Sequence, residues 1–317
     1  MAGSLSTTQR LPVIDFSKED LKERTASWDV VRKEVVQALE EYGCFEAKYD
    51  QVTLELHNKV FKMSEEFFNL PEGIKQRFVD TSKPYSGYYA AGSVFEGMGI
   101  TGFLDSQTIQ TVFDVLWPEG KANFCEALHS YALGLSQLEQ LITEMIFQSL
   151  GVEKYLESHR KNLNPTIRMI KYNTPNSDEP QIGISAHRDK NFLTILQQNE
   201  VDGLEVQLKD GNWIKVTPSA STFIVMVGES LLGWCNGRLY CPKHQVMMRV
   251  NETRYSIALF SAVKGIIQCP KELVDENYPL LFKPFDEVGL LCFTQTEEGR
   301  KAEFTLKAYC GVANDIN

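Results

Sequence analysis

The chain has 317 residues, of which 43% are hydrophobic and 23% charged, so it belongs to the ordinary globular class and can bury a large core. Its formal net charge is -10, with lysine and arginine dispersed among the acids, which argues against a nucleic-acid partner. No stretch reaches the ~18 apolar residues of a membrane span, and the N-terminal segment lacks the apolar core of a signal peptide. We therefore expect a cytoplasmic protein that binds neither nucleic acid nor membrane.

The first 160 residues predict mostly helices after one short strand. The strand is expected in LPVIDF, residues 11–16. Apolar periodicity predicts one helix over residues 28–43, ending at Gly43, and a second over residues 51–70, closed by Pro71. The following residues 83–103 are rich in glycine and aromatic residues and predict a long loop of the kind that often carries function.

The clearest helix includes residues 128–145, where apolar residues recur at spacings of three and four. They are Leu128, Tyr131, Leu135, Leu138, Ile142 and Met145. This spacing predicts one apolar helix face, which we expect to lie against a sheet.

From Pro165 onward the pattern changes to short apolar runs separated by turn signals. Lys209-Asp-Gly-Asn212 predicts a hairpin turn, because Asp-Gly favours tight turns between paired strands. Many short strands at this spacing predict a sandwich, a jelly roll or a barrel. The seven scattered cysteines contain no CxxC pair, which indicates reduced thiols and argues against a disulfide framework or a zinc cluster.

The segment GISAHRDKNFLTILQQ, residues 183–198, contains His187 and Asp189 in a run that reads as a strand. Residues i and i+2 of a strand point to the same face, so both side chains can reach one metal ion. Alone, the pair is more typical of a turn aspartate near a surface histidine. His244, in NGRLYCPKHQV, supplies a third ligand, and two histidines with one carboxylate form the facial triad of non-haem Fe(II) oxygenases.

Arg254 and Ser256 are again two positions apart in an apolar strand, RYSIALF. A guanidinium beside a hydroxyl can hold the distal carboxylate of a chelating 2-oxo acid by charge-assisted hydrogen bonds. The remaining histidines, His57, His129 and His159, have no partner at ligand spacing and are expected to be structural.

These motifs resemble the plant Fe(II)- and 2-oxoglutarate-dependent dioxygenases, whose HxD, distal His and RxS motifs match His187/Asp189, His244 and Arg254/Ser256. The resemblance covers nearly the whole chain and includes LPVIDF, YGCF, FFNLPEGIKQRF, GLEV and WCNGRLY. The segments FEGMGI, LWPEG and NFC look most like the branch that forms alkenyl and hydroxyalkyl glucosinolates, with its relatives in specialised metabolism. The chain departs from the family at Ile170, where an asparagine is usual, and at Glu229, where an aspartate is usual.

The resemblance implies a mostly β fold with helices: a double-stranded β-helix core (jelly-roll, cupin-like) with helices packed around it. Residues 1–160 would form a mainly helical N-terminal region of a single catalytic unit, and residues 161–317 the core and a C-terminal extension. The implied cofactors are Fe(II), 2-oxoglutarate and O2, with ascorbate as the reductant in vitro. His187, Asp189 and His244 would bind the iron, and Tyr172 would join Arg254 and Ser256 at the 2-oxoglutarate carboxylate.

The implied reaction is hydroxylation, desaturation, ring closure or dealkylation of a small plant metabolite, with release of succinate and CO2. The substrate pocket is expected in the irregular segments and at the end of the RxS strand. Its candidate residues are Tyr88, Phe95, Met98, Phe113, Leu116, Trp117 and Phe260. Aromatic side chains and methionine suit an apolar or partly aromatic substrate, and nothing indicates an obligate assembly, so a monomer is expected.

Three alternatives remain open at this point. A hormone oxidase, of auxin or gibberellin type, would share the fold and the motifs. A ligand-binding protein that has lost catalysis would be expected to lose metal ligands first, and a zinc hydrolase would also use two histidines and a carboxylate. The Arg254/Ser256 pair argues against the zinc enzyme.

Overall fold

Fifteen strands and ten α-helices make up the computed structural model, which describes residues 10–80, 85–117, 121–174, 179–248 and 252–312. The helices are α1 (Ala26–Glu41), α2 (Leu54–Phe68), α3 (Glu72–Lys75), α4 (Ser106–Leu116), α5 (Ala122–Ser149), α6 (Leu156–Asn162), α7 (Glu229–Trp234), α8 (Glu287–Phe293), α9 (Glu297–Lys301) and α10 (Thr305–Cys310). The strands are β1 (Val13–Asp15), β2 (Cys44–Lys48), β3 (Val79–Asp80), β4 (Ser86–Ala91), β5 (Phe95–Thr101), β6 (Thr166–Tyr172), β7 (Gln181–His187), β8 (Leu193–Gln198), β9 (Leu204–Gln207), β10 (Trp213–Lys215), β11 (Thr222–Val227), β12 (His244–Met248), β13 (Arg254–Ser261), β14 (Ile266–Ile267) and β15 (Phe285–Asp286).

Two sheets form the core. The larger has nine strands in the order β1-β2-β11-β8-β13-β6-β5-β4-β3, and the smaller has four in the order β10-β9-β12-β7. The hairpin predicted at residues 209–212 is confirmed, since β9 and β10 pair with Gln207 opposite Trp213. Side chains of β13 alternate between the two faces of the larger sheet, so this strand contributes to two core clusters. Ile257 and Leu259 belong to the large cluster that includes α5, and Ala258 belongs to a second cluster that includes β9. The jelly-roll core with surrounding helices, predicted from the motifs, is confirmed.

The long predicted helix is confirmed as α5, and it packs on β8 and β13 of the larger sheet. All six residues of its predicted apolar face are buried. Helix α1 follows its prediction closely: the side chain of Thr25 accepts a hydrogen bond from the amide of Trp28 at its start, and Gly43 follows its end with a φ of 71°. None of the helices described here is long and apolar enough to cross a membrane.

The predicted loop over residues 83–103 is wrong for most of its length. Residues 86–91 and 95–101 form β4 and β5, which pair with each other and extend the larger sheet from β6. The strand β2, in YGCF, was likewise not predicted. Glycines at Gly97 and Gly99 hid the alternation of β5, because a glycine shows neither a polar nor an apolar side chain. Within the first 160 residues, the described part of the chain therefore contributes five strands as well as helices.

Candidate active site

The three predicted metal ligands meet at one end of the smaller sheet. His187 is the last residue of β7 and His244 is the first residue of β12, and the two are paired across these antiparallel strands. Their ring centroids lie 4.3 Å apart. Asp189 lies beyond the end of β7, so the prediction that it shares a strand with His187 is wrong. Its side chain reaches the histidines because the chain turns after His187.

The distances among these three residues suit one metal ion. His187 Nε2 lies 3.6 Å and His244 Nε2 3.7 Å from Asp189 Oδ1. One ligand atom of each residue falls within 4.8 Å of those of the other two, and no other such group of His, Cys, Asp and Glu occurs in the described parts of the chain. An ion bound at ~2.0–2.2 Å from each atom requires this kind of spacing.

Neighbouring groups orient the ligands. His187 Nδ1 lies 2.8 Å from the carbonyl oxygen of Ser185, so a hydrogen on Nδ1 leaves Nε2 free to bind a metal. Thr194 Oγ1 donates to Asp189 Oδ2 at 2.6 Å and leaves Oδ1 facing the histidines. Second contacts of this kind fix the tautomer and the orientation of metal ligands.

The electrostatics of the site favour the metal-binding forms. Burial lowers the pKa of His244 to about 4, so its imidazole is neutral at pH 7. Burial by itself would raise the pKa of Asp189, but the adjacent imidazoles and the Thr194 hydroxyl hold that pKa below its usual value. Neutral imidazoles and an ionised carboxylate are the forms that bind a divalent ion.

The loop that carries Asp189 is held by a buried ion pair. Lys190 Nζ donates to Glu229 Oε1 at 3.0 Å and to the carbonyl oxygen of Arg188 at 2.9 Å. The amide of Glu229 in turn donates to the carbonyl oxygen of Asp189 at 2.8 Å. Glu229 is one of the two residues that depart from the family pattern, and its side chain is 1% exposed.

Lys190→Met should destabilise the protein by about 3 kcal/mol, because it leaves the Glu229 carboxylate buried without its partner. Urea denaturation measures this change, and metal titration should show weaker binding through the displaced loop. The double variant K190M/E229L, which removes both charges, should recover most of the lost stability. A double variant no more stable than K190M would show that the ion pair does not hold the loop.

A second cluster of buried polar groups lies on the larger sheet. Arg254, Ser256 and Tyr172 are buried, and Arg254 pairs with Tyr172 in the β13–β6 register, its guanidinium 4.7 Å from the ring centroid. Gln198 of β8 was not predicted, yet its Oε1 accepts hydrogen bonds from Arg254 Nε at 3.2 Å and from Nη2 at 2.5 Å. Burial raises the pKa of the Tyr172 hydroxyl, opposed by the Arg254 charge, so the hydroxyl stays protonated.

This cluster keeps polar atoms available for an anion. Arg254 Nη1, Ser256 Oγ and Gln198 Nε2 are each buried without a hydrogen-bond partner within the described chain. Buried donors are rarely left unsatisfied. One guanidinium donor with two further polar groups beside it, and no ion pair to Arg254 among the described residues, fits a carboxylate ligand. The donors therefore fit the distal carboxylate of 2-oxoglutarate, and the His-Asp-His set fits Fe(II).

A cavity of about 400 Å³ opens beside two of the candidate metal ligands, His187 and Asp189. Its walls come from β4 to β7, the end of β13 and helix α8. They include Tyr85, Tyr89, Phe95, Arg168, Ile170, Ile184, Phe260, Glu287 and Leu291. The volume suits a small molecule. The sequence did not predict that helix α8 and Arg168 line this cavity. Arg168 is four residues before Tyr172 on one strand, and this even spacing indicates that both side chains share a face.

The structure places two of the seven predicted pocket residues, Phe95 and Phe260, in the wall of this cavity. The other five lie in the large core cluster and are absent from the wall. Phe113 and Leu116 lie in α4, and Trp117 is its C-cap residue. The rings of Phe113 and Trp117 stack with their centroids 5.5 Å apart. Tyr88 donates to Glu96 Oε2 at 2.8 Å.

The other histidines lie away from the metal-ligand cluster. His57 contacts Gln197 Oε1 at 2.8 Å, and His159 is buried between Phe147 and Phe192. His129 Nε2 lies 3.3 Å from a backbone carbonyl oxygen.

Two family models and a curated relative match this chain. A model described as the 2OG-Fe(II) oxygenase superfamily matches residues 164–262, and one described as the non-haem dioxygenase in morphine synthesis N-terminal matches residues 11–110. The probable 2-oxoglutarate-dependent dioxygenase AOP1.2 of Arabidopsis thaliana is 43% identical over 96% of this chain and 97% of that relative.

Two solved structures share the fold. The rice dioxygenase for auxin oxidation superposes with a TM-score of 0.81 at 26% identity, over 96% of this chain and 100% of that chain. The Arabidopsis thaliana dioxygenase for auxin oxidation 1, solved with 2-oxoglutarate, superposes with a TM-score of 0.76 at 27% identity, over 85% of this chain and 99% of that one.

Proposed function

The chain belongs to the 2OG-Fe(II) oxygenase superfamily and is a 2-oxoglutarate-dependent dioxygenase, and we propose that His187, Asp189 and His244 hold its iron while Arg254, Ser256 and Tyr172 hold 2-oxoglutarate. The family predicted from the motifs is thereby confirmed, together with its cofactors Fe(II), 2-oxoglutarate and O2. The observation that carries the site assignment is the convergence of the three ligand atoms within 4.8 Å.

When bound, Fe(II) with 2-oxoglutarate supplies oxidation of a substrate C–H bond by O2, with succinate and CO2 as co-products. The protein contributes position and charge. His187, Asp189 and His244 would hold the ion through three ligand atoms. Arg254 would neutralise the distal carboxylate of 2-oxoglutarate, Ser256 and Gln198 would add hydrogen bonds, and the cavity walls would hold the substrate.

The proposed substrate is a small plant specialised metabolite. The cavity beside His187 and Asp189, with its aromatic walls, and the 43% identity to a plant dioxygenase support this proposal. The test incubates purified protein with Fe(II), ascorbate and 2-oxoglutarate against a plant metabolite extract, and follows succinate together with mass changes of +16, −2 or −14 expected for hydroxylation, desaturation or demethylation. If no plant extract raises succinate formation above the rate without extract, the proposed substrate class is contradicted.

A hormone oxidase is the second candidate. It is supported by the shared fold with two dioxygenases for auxin oxidation at 26% and 27% identity. A defined panel of auxins, gibberellins and specialised metabolites, each assayed for succinate formation, separates the two functions. Turnover of one hormone at a much higher kcat/KM than any specialised metabolite would favour the hormone oxidase.

We also infer that the chain acts as a monomer in the cytoplasm and without nucleic acid. All seven cysteines are free, and five are buried, which is typical of a reducing compartment. The net charge of -10 disfavours phosphate backbones. Size-exclusion chromatography with light scattering tests the monomer.

Gly97→Ala should raise the KM for the organic substrate and leave the KM for 2-oxoglutarate unchanged. A Cβ at Gly97 would lie 2.4 Å from Tyr89 Cζ, so the tyrosine ring has to leave its place in the cavity wall. We expect a change of severalfold in KM with ~1 kcal/mol or less of lost stability, because a side-chain end moves and not the backbone. Gly73→Ala, where a Cβ meets nothing within 4 Å, is the matched control. Equal KM values for the two variants would contradict the role of Tyr89.

A further inference from the structure

Arg168 projects into the cavity without a partner of opposite charge. Its guanidinium carbon lies 4.1 Å from the ring centroid of Phe260 and 4.6 Å from that of Tyr85. Its Nε is buried and has no hydrogen-bond partner, and no ion pair joins it to a carboxylate in the described chain. Two aromatic rings thus fix the guanidinium plane without using its hydrogen-bond donors.

The other two cations of the cavity are already engaged. Arg188 Nε donates to the carbonyl oxygen of Cys241 at 3.0 Å, and the guanidinium stacks on Phe304 at 4.9 Å. Lys190 forms the buried ion pair with Glu229. Among the cations that line the cavity, Arg168 is therefore the one whose charge and donors remain available to a ligand.

Small residues flank Arg168 in the larger sheet, and the backbone of Tyr85 packs over one of them, Gly99. In the larger sheet, Arg168 lies between Gly99 of β5 and Ala258 of β13, neighbours that carry no side chain or only a methyl group. Every second residue of a strand points to the same face, so Arg168, Ile170 and Tyr172 share one face of β6. At ~3.3 Å per residue, Arg168 and Tyr172 are about 13 Å apart along the strand. Tyr172, which is paired with Arg254, therefore lies at one end of β6, and Arg168, which lines the cavity, lies near the other end.

Two acidic residues line the cavity, and Glu287 is the one that interacts electrostatically with Arg168. It does not neutralise the charge of Arg168. Its carboxylate oxygen Oε2 accepts a hydrogen bond from the amide of Val263 at 3.4 Å. Burial raises the pKa of Glu287 to about 8, so the group is mostly neutral at pH 7. The remaining acid of the wall, Asp189, faces the histidines.

We propose that Arg168 binds an anionic group of the organic substrate, a carboxylate or a sulfate-type group, and that Tyr85 and Phe260 hold the guanidinium for this contact. The inference rests on the proposed function and names its substrate class: a small acid. Anchored at Arg168, the substrate occupies the cavity that His187 and Asp189 also line, so the protein sets the distance between its anion and the oxidised carbon. An uncharged analogue of the same shape loses the charge-assisted hydrogen bonds.

The test measures binding and not turnover. Protein with Fe(II) and saturating 2-oxoglutarate, kept free of O2, is titrated by calorimetry with phenylacetate, phenylmethanesulfonate and the uncharged phenylacetamide. The wild-type protein should bind one or both anions about 10-fold or more tighter than the amide. A tighter carboxylate identifies a carboxylic acid substrate, and a tighter sulfonate identifies a sulfate-type substrate; both support the site.

Three variants locate the preference. Arg168→Gln should bind the three probes with nearly equal affinity, and Arg168→Lys should keep part of the preference because it keeps the charge without the planar donors. Arg300→Gln, on exposed helix α9, is the matched control and should keep all of it. Thermal denaturation shows whether each variant is folded.

The visible charge-transfer absorption of Fe(II) with 2-oxoglutarate separates this inference from the proposed function. A wild-type protein without that absorption contradicts the proposed function itself. A wild-type protein that has it but binds all three probes equally overturns the Arg168 site alone, and so does a folded R168Q variant that retains the anion preference.

Discussion

His187→Ala should form no detectable succinate and no oxidised product under aerobic conditions with Fe(II) and 2-oxoglutarate. The variant loses one of three metal ligands. Mutation of a residue that only hydrogen-bonds a metal ligand typically costs about 10- to 100-fold in metal affinity, so we expect more than about 100-fold weaker Fe(II) binding here. Anaerobic Fe(II) titration and succinate assays measure the two effects. The fold should survive, because the side chain is 38% exposed and ends its strand.

His129→Ala is the matched control, since this histidine lies on α5 outside the metal-ligand cluster. It should keep the Fe(II) affinity and the turnover of the unmodified protein. Undiminished succinate formation by H187A, or an equal loss in H129A, would contradict the assignment of the iron site.

Arg254→Met should raise the KM for 2-oxoglutarate by at least about 30-fold. Truncating one partner of a buried, hydrogen-bonded charge pair costs about 2–5 kcal/mol, and the 2-oxoglutarate carboxylate would lose its counter-charge in a site that is 0% exposed at Arg254. Ser256→Ala removes one hydrogen bond of about 1 kcal/mol and should raise the same KM roughly fivefold. Initial rates of succinate or CO2 formation against 2-oxoglutarate concentration give both values.

A co-substrate analogue shows whether the effect comes from the carboxylate. 2-Oxopentanoate has the length of 2-oxoglutarate but lacks the distal carboxylate, so the unmodified protein should discriminate strongly against it. R254M should lose most of that discrimination, while its Fe(II) affinity and near-ultraviolet circular dichroism remain those of the unmodified protein. Discrimination that persists in folded R254M would show that another group holds the carboxylate.

Several features could be predicted from the sequence because they depend on local pattern. The apolar spacing from Leu128 to Met145 predicts α5, and Asp210-Gly211 predicts the β9–β10 hairpin. The predictions failed where glycine removed the pattern, as in β5, and where a ligand left the strand, as at Asp189. In both cases the conformation depends on pairing with residues far along the chain.

The sequence by itself determined the reaction class, because His187, Asp189, His244 and the Arg254/Ser256 pair occur together in the order and spacing of one family's motifs. Only the tertiary structure decided which groups share a cavity. Gln198 reaches Arg254 across two paired strands, and Arg168 meets Tyr85 and Phe260 from three different strands and turns. Such contacts join segments up to ~90 residues apart, and only sheet pairing and packing bring them together.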